Sequence, residues 1–356
     1  MRLGSREEDA GLAKPLVLLK PAPQSKERIF SAAAWDRLNR SFEIVDLESG
    51  ERDEGELARL LPEAFAVIGQ PDLPAALLET APGLRAIVNV EGNFFPNVDY
   101  PTAFRNGVRV LGCGTAYAQA VAEFALGLAL DLARGISRED HRARRGEERY
   151  VAAATGDAVL LQRAPVGLVG FGNLGRALRP LLAPFQGVVR AFDPWLPRSV
   201  LEDAGVLPST LEETLTESRF VFVLATVTAE SEHLLDARML DLLPDGARLV
   251  LVSRAAVVDY DALLERVEAG RLLAAIDVWP EEPIPANSPW RRQEGAILSP
   301  HRAGGIPQAF TAIGDMVVDD LELLAKGLPP VRLQVAAPEL VGRYRNRPVT
   351  GAEQRR

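Results

Sequence analysis

Val166-Gly-Leu-Val-Gly-Phe-Gly-Asn-Leu-Gly-Arg176 runs a short apolar strand straight into Gly170, Gly172 and Gly175 and then into a helical stretch. The three glycines suit a dinucleotide-binding turn. Gly170 permits the tight turn, Gly172 lets the backbone approach a pyrophosphate, and Gly175 lets helix and strand pack closely; the helix start at Asn173 and Leu174 offers its N–H groups to the anion. A glycine triplet alone is weak evidence. A second strand, Val188-Val-Arg-Ala-Phe-Asp193, strengthens it by ending in a carboxylate 23 residues after Gly170, near the spacing expected of a ribose-binding acid.

Working outward, 356 residues are more than one compact core usually absorbs, so two domains are expected. With 47% hydrophobic and 25% charged residues the composition suits a globular protein. A net charge of −9 argues against a nucleic-acid partner, because phosphate neutralisation needs a basic surface. One cysteine, Cys113, allows neither a disulfide framework nor a thiolate zinc site, and no metal is expected. That thiol count suits a cytoplasmic protein. Met1 to Lys14 lack the basic-then-apolar layout of a signal peptide. The longest apolar run, Ala118 to Ala133, falls short of the roughly 20 residues a spanning helix needs and reads as a buried helix, so no membrane partner is expected.

From Pro15 to Gly112 short apolar strands alternate with helical stretches, and a second series runs from Val166 through Val188, Phe220, Ala247, Leu273 and Ala296. Such alternation implies parallel strands joined by crossover helices, hence an α/β chain of two doubly wound units. The expected division is 1–113 for the first unit, 114–303 for the second, 304–337 for a return helix packing on the first, and 338–356 for a solvated tail. The strand series is expected to stop after His301. The long helix from about Gln119 to Arg134 is a candidate hinge or interface.

Ligands of open parallel sheets sit outside the carboxyl ends of the strands. In the second unit the strands end successively at Gly170, Asp193, Thr226, Arg254, Asp277 and His301. The pattern predicts one crevice for a dinucleotide with an arginine, carboxylates and a histidine beside it.

These residues resemble the D-isomer-specific 2-hydroxyacid dehydrogenases. The resemblance is carried by the glycine turn, Phe-Asp-Pro at 192 to 194, Val-Ser-Arg-Ala-Ala-Val-Val-Asp at 252 to 259, Asp-Val-Trp-Pro-Glu-Glu-Pro at 277 to 283 and Leu-Ser-Pro-His-Arg-Ala-Gly at 298 to 304. The first unit matches more loosely, through Asn97-Val-Asp99 and Val121-Ala-Glu123. The resemblance implies a Rossmann NAD-binding domain, a flavodoxin-like substrate domain, and a catalytic trio of Arg254, Glu282 and His301. The arginine would hold the carboxylate of a small 2-oxo or 2-hydroxy acid. The histidine would exchange the proton on the substrate oxygen, and the glutamate would orient the histidine and favour its charged form. Glu281 is a neighbouring alternative for the acid, and Glu282 is chosen for its place before Pro283. NAD is the implied cofactor, with Asp193 on the ribose; Arg190 and Arg198 lie near enough in sequence to bear on that choice. Asp277 would meet the nicotinamide carboxamide and Thr226 would line the cofactor crevice. A homodimer is implied by the same analogy.

Some features depart from the family pattern. Ala255 stands where glycine usually follows the arginine, and Pro180 should kink or shorten the helix after the glycine turn. The loop Val90, Glu91 and Gly92 lies where the family receives its substrate, followed by Phe94 and Phe95. An inward Glu91 would repel a second carboxylate and favour a larger or more hydroxylated acid; a Glu91 facing solvent or making a structural contact would do neither. Two further functions fit the same fold: phosphite-type hydride donation, and an NAD(H)-sensing, corepressor-like binding protein. His141 and His233 lack any motif, and Cys113 reads as a small buried residue.

Overall fold

The computed structural model describes residues 13–48, 55–150, 156 and 158–345. The expectation about the first residues, and the part of the tail beyond Arg345, lie outside these. Two compact units are present, Met1–Cys113 with Thr311–Pro338, and Gly114–Phe310 with Glu339–Arg356.

The first unit contributes β1 (Leu16–Lys20), β2 (Glu43–Asp46), β3 (Ala64–Gly69), β4 (Ala86–Asn89) and β5 (Arg109–Gly112). They pair in parallel in the order 2-1-3-4-5, the flavodoxin-like winding. Their near-continuous apolar character follows from burial on both faces: Val17, Leu18, Val67, Ile68, Ile87 and Val88 are fully buried. Gly69 ends β3 at φ +126°, where an added Cβ would lie 1.8 Å from Lys20 O, so only glycine fits.

The second unit contributes β6 (Val166–Val169), β7 (Val189–Phe192), β8 (Leu207–Pro208), β9 (Phe220–Val223), β10 (Ala247–Leu251), β11 (Leu272–Ile276) and β12 (Ala296–Leu298). All are parallel, in the order 12-11-10-9-6-7-8. Counted from β6 this is the Rossmann winding with one more strand, and the order reverses at β6. The helix Gly114–Arg134 has 21 residues, long and apolar enough to cross a membrane, yet it is a core helix here. Val121, Ala122, Ala125, Leu128, Ala129, Leu132 and Ala133 share one buried face at helical spacing, within the core formed by β6, β7 and β9. Helix Asn173–Leu182 continues two residues past Pro180 and then tightens into a 3-10 turn, Ala183–Phe185.

The return helix spans Pro307–Ala325, with its residues from Thr311 onward grouped in the first unit. There Arg37 grips Glu322 through two guanidinium nitrogens and reaches Asp319 at 2.7 Å, while Asp320, fully buried, accepts backbone N–H groups from Val331, Arg332 and Leu333. That turn feeds β13 (Gln334–Val335), an antiparallel edge strand on β5. The expectation that strands stop after His301 is therefore corrected. A two-residue strand carries no periodicity and is made by its partner.

Of the expected solvated tail, the part up to Arg345 is attached to the second unit. A short helix, Pro338–Val341, is followed by an antiparallel bridge between Tyr344 and Thr228, so the chain to Arg345 is docked on the second unit. Gly314 packs its helix face against the first unit's own chain, and a Cβ there would lie 2.4 Å from Ile29 O and 2.7 Å from the Phe30 ring. Gly314→Ala should gain about 1 kcal/mol of helix propensity and lose about 1–3 kcal/mol to overpacking against backbone. We expect a net loss, read as earlier unfolding in urea; an unchanged or later midpoint would contradict it.

Candidate active site

Parallel strands place their carboxyl ends at one edge, so the residues after β6, β7, β9, β10, β11 and β12 meet there. Gly170 follows β6 at φ +96°, and a Cβ on it would lie 2.8 Å from Ala225 N in the loop after β9. A Cβ on Gly175 would meet Gly170 O and the Phe171 ring at 3.0 Å, whereas nothing lies within 4 Å of the corresponding position on Gly172. Gly172 thus caps helix Asn173–Leu182 with open space around it. The helix start, with its first-turn N–H groups directed toward this space, fits a pyrophosphate.

Asp193 follows β7. Its Oδ2 accepts Phe171 N–H at 2.7 Å and its Oδ1 accepts Trp195 N–H at 3.0 Å, which ties the acid to the glycine turn and leaves further lone pairs on both oxygens. Beside it lies a cavity of about 560 Å³ whose lining includes Phe192, Asp193, Leu196, Arg198, Pro208 and Thr210. Arg190 is turned away, buried and paired with Glu217 at 2.6 Å. Arg198 lines the cavity and is largely exposed. Thr226 lies in the loop after β9, its carbonyl accepting the Ser231 hydroxyl at 2.6 Å.

The reactive cluster is held by Asp277, only 1% exposed at the end of β11. Its Oδ1 accepts the Ser299 hydroxyl and Arg302 N–H, its Oδ2 accepts Ala303 N–H at 3.1 Å, and its backbone carbonyl accepts His301 N–H at 2.7 Å. This ring of bonds keeps His301 at φ +49°, a left-handed conformation that costs a non-glycine residue about 1–3 kcal/mol. The His301 ring then meets Glu282, with Nδ1 at 2.8 Å and 3.0 Å from the two carboxylate oxygens. Glu282 also accepts Trp279 N–H at 3.0 Å. Of the two adjacent acids, Glu281 is exposed and Glu282 is the one on the histidine.

Burial pushes the Glu282 carboxyl up, but the hydrogen bond and charge of His301, the Trp279 N–H and the Arg254 charge together outweigh it and hold the group below its ordinary value of 4.5. Arg254 is half-buried just past β10, with its Nη1 donating to Ser253 O at 2.7 Å. Its charge reaches Glu282, so the trio shares one field.

Sequence reasoning missed the support behind this loop. Tyr260, Trp279 and Trp290 form a mutual ring cluster with centroids 6.0 Å apart. The Tyr260 hydroxyl donates to Val278 O, and Trp279 Nε1 donates to Ser299 O at 2.8 Å, bracing both ends of the Asp277 loop. Only the tryptophan inside the 277 to 283 motif hinted at this.

In the first unit Glu91 is buried, at 7% exposure, which excludes the solvent-facing alternative. Val90 N–H donates to Gln70 Oε1 at 3.1 Å, and Gly92 is half-buried. Phe94 and Phe95 are core residues: the Phe94 ring lies against Gly112 of β5, and Phe95 O accepts the Tyr100 hydroxyl at 2.7 Å. Cys113 is fully buried, and burial pushes its thiol well up. Among the described residues no His, Cys, Asp and Glu group could hold a metal ion.

Residues 126–303 match the family model of the D-isomer specific 2-hydroxyacid dehydrogenase NAD-binding domain. A solved phosphoglycerate oxidoreductase from Rhizobium etli is similar with a TM-score of 0.82 and 43% identity, covering 91% of this chain and 99% of that one. A hydroxypyruvate reductase of Thermotoga maritima is 27% identical over 78% of this chain and 90% of its own length. A D-3-phosphoglycerate dehydrogenase of Archaeoglobus fulgidus is 28% identical over 87% of this chain, which spans 58% of that longer protein.

Because the folded Glu282 carboxyl sits below its ordinary value, its pairing stabilises the fold fully above pH 4.5 and fades as pH falls through the depressed value. The stability advantage of the wild type over Glu282→Gln, measured by urea unfolding, should therefore shrink on acidification below pH 4.5. A gap that widens there would contradict the assignment.

Proposed function

The chain belongs to the D-isomer specific 2-hydroxyacid dehydrogenases, NAD-binding oxidoreductases, and on that premise we propose that it is an NAD-dependent D-2-hydroxyacid dehydrogenase working as a 2-oxoacid reductase. The observation that carries this reading is the His301–Glu282 contact at 2.8 Å, at the sheet edge to which Arg254 is also delivered. The cofactor in its reduced form, NADH, would supply the hydride that the carbonyl carbon receives and would leave as NAD+. Arg254 grips the substrate carboxylate through paired N–H donors. His301, with Nδ1 on Glu282, has Nε2 left to give its proton to the substrate oxygen as negative charge develops there. Glu282 keeps the ring oriented for the transfer. In the reverse direction the neutral ring takes the proton back.

Gly170, Gly172, Asn173, Leu174 and Gly175 would hold the pyrophosphate, Asp193 the ribose hydroxyls, and Thr226 and Asp277 the rest of the cofactor. The Asp193 carboxylate disfavours the extra phosphate of NADP, and Arg190 is occupied by Glu217 and so does not offset it. Buried Glu91, with Val90 and Gly92, is proposed to favour a hydroxylated acid. The hydroxypyruvate in one relative's name is of that kind. We place the protein in the cytoplasm as a homodimer without nucleic-acid or membrane partners. The pairing rests on the family analogy, and light scattering should give twice the chain mass; a monomer mass would reject it.

NADH oxidation across glyoxylate, pyruvate, hydroxypyruvate and larger hydroxylated 2-oxo acids tests the chemistry. His301→Ala should lower turnover by about 10²–10⁴-fold with NADH affinity unchanged. Arg254→Ala should raise the substrate KM by about 10- to 100-fold. Glu91→Ala should change the ranking of substrates. Turnover that survives His301→Ala rejects the mechanism, and an unchanged ranking removes the role of Glu91.

A further inference from the structure

The residues from Pro338 to Arg345 do work that neither the trio nor the glycine turn accounts for. β6 lies between β7 and β9, so the loop after β7, at 193–195, and the loop after β9, at 224–229, flank the glycine turn from its two sides. Both touch that turn, the first through Asp193 on Phe171 N and the second through the close approach of Ala225 to Gly170. Tyr344 engages both flanks at once. Its backbone forms the antiparallel bridge to Thr228, framed by Ala229 N–H on Arg343 O and Arg345 N–H on Val227 O, each at 3.1 Å. Its ring meets the Trp195 ring edge-on, with centroids 6.1 Å apart at 72°. One segment thus touches both flanks of the switch point.

We propose that Pro338–Arg345 is a strap forming the outer wall of the adenosine end of the dinucleotide cleft, with Tyr344 as its contact residue. The inference rests on the NAD reading of this cleft. The loop that receives the strap is built for it: Thr228 is buried, and Ser231 ties that loop by accepting Thr228 N–H at 2.8 Å and donating to Thr226 O. The strap thus docks on a fixed edge. Tyr344 and Trp195 are both half-buried, and the Tyr344 phenol is pushed up by burial, so the two rings present a partly dry aromatic corner. Such a corner suits the flat, π-rich face of adenine. The Arg343–Glu230 pair at 3.6 Å is exposed and adds little. The strap is a cofactor-retaining element, far in sequence from the glycine turn and distinct from the proton-transferring trio.

Calorimetric titration of NADH into the full chain and its variants tests this. Wild-type binding comes first, and its absence would overturn the cofactor reading and the strap with it. Given binding, Tyr344→Ala should weaken NADH about 3- to 10-fold, and Tyr344→Phe should restore wild-type affinity. Saturating NADH should also slow tryptic cleavage at Arg343 and Arg345. A chain ending at Ala337 should bind more weakly still. Unchanged affinity and unchanged cleavage in all variants would show the strap to be structural only. Tighter binding on its removal would show that it competes for the cleft, and either result overturns the proposal.

Discussion

The buried carboxylate of Asp277 is the constraint around which the rest of the site is arranged. A charge at 1% exposure persists only when donors replace its lost water, and here a hydroxyl and two backbone amides do so. Those donors come from Ser299, Arg302 and Ala303, so meeting the carboxylate's need folds the 299–303 loop into one shape. His301 sits within that loop and is carried into a left-handed conformation with its ring on Glu282. The aromatic cluster of Tyr260, Trp279 and Trp290 anchors the opposite side. The backbone strain at His301 is thereby sustained by bonds that its neighbours make.

The sheet sets the second condition. Seven parallel strands deliver their carboxyl ends to one edge, and the reversal of order at β6 opens the place where the glycine turn sits. Close packing at Gly170 and Gly175 leaves no room for side chains, while Gly172 keeps its space. Asp193 then ties the turn to the end of β7, so the dinucleotide edge is knit before any ligand arrives.

Legibility differed between these layers. Strand positions and the order of polar residues after them could be read because burial on both faces writes short apolar runs that stop where the chain leaves the sheet. The choice between Glu281 and Glu282 needed a family pattern, and it is burial and contact with His301 that distinguish them in space. Arg190 lay near enough to Asp193 in sequence to bear on the cofactor choice, yet the alternation of side chains along β7 turns it to Glu217. Phe94 looked available to a substrate, yet it fills the space above Gly112. The tail looked solvated because five arginines and few apolar anchors carry no core signal, and its docking depends on backbone bonds to a loop more than one hundred residues earlier.

The amino-acid sequence alone determined two doubly wound units, the glycine turn, and a set of polar strand-end residues that includes an arginine, carboxylates and a histidine. Those features depend on local period, on glycine's lack of a side chain and on residue type, all of which are written in the chain. Tertiary structure alone decided the burial of Glu91, the edge strand β13, the aromatic brace under Glu282, the orientation of Arg190 and the seat of Tyr344. Each depends on which distant segment arrives as a partner, and a side chain's direction or a short strand's existence has no local cause until that partner is in place.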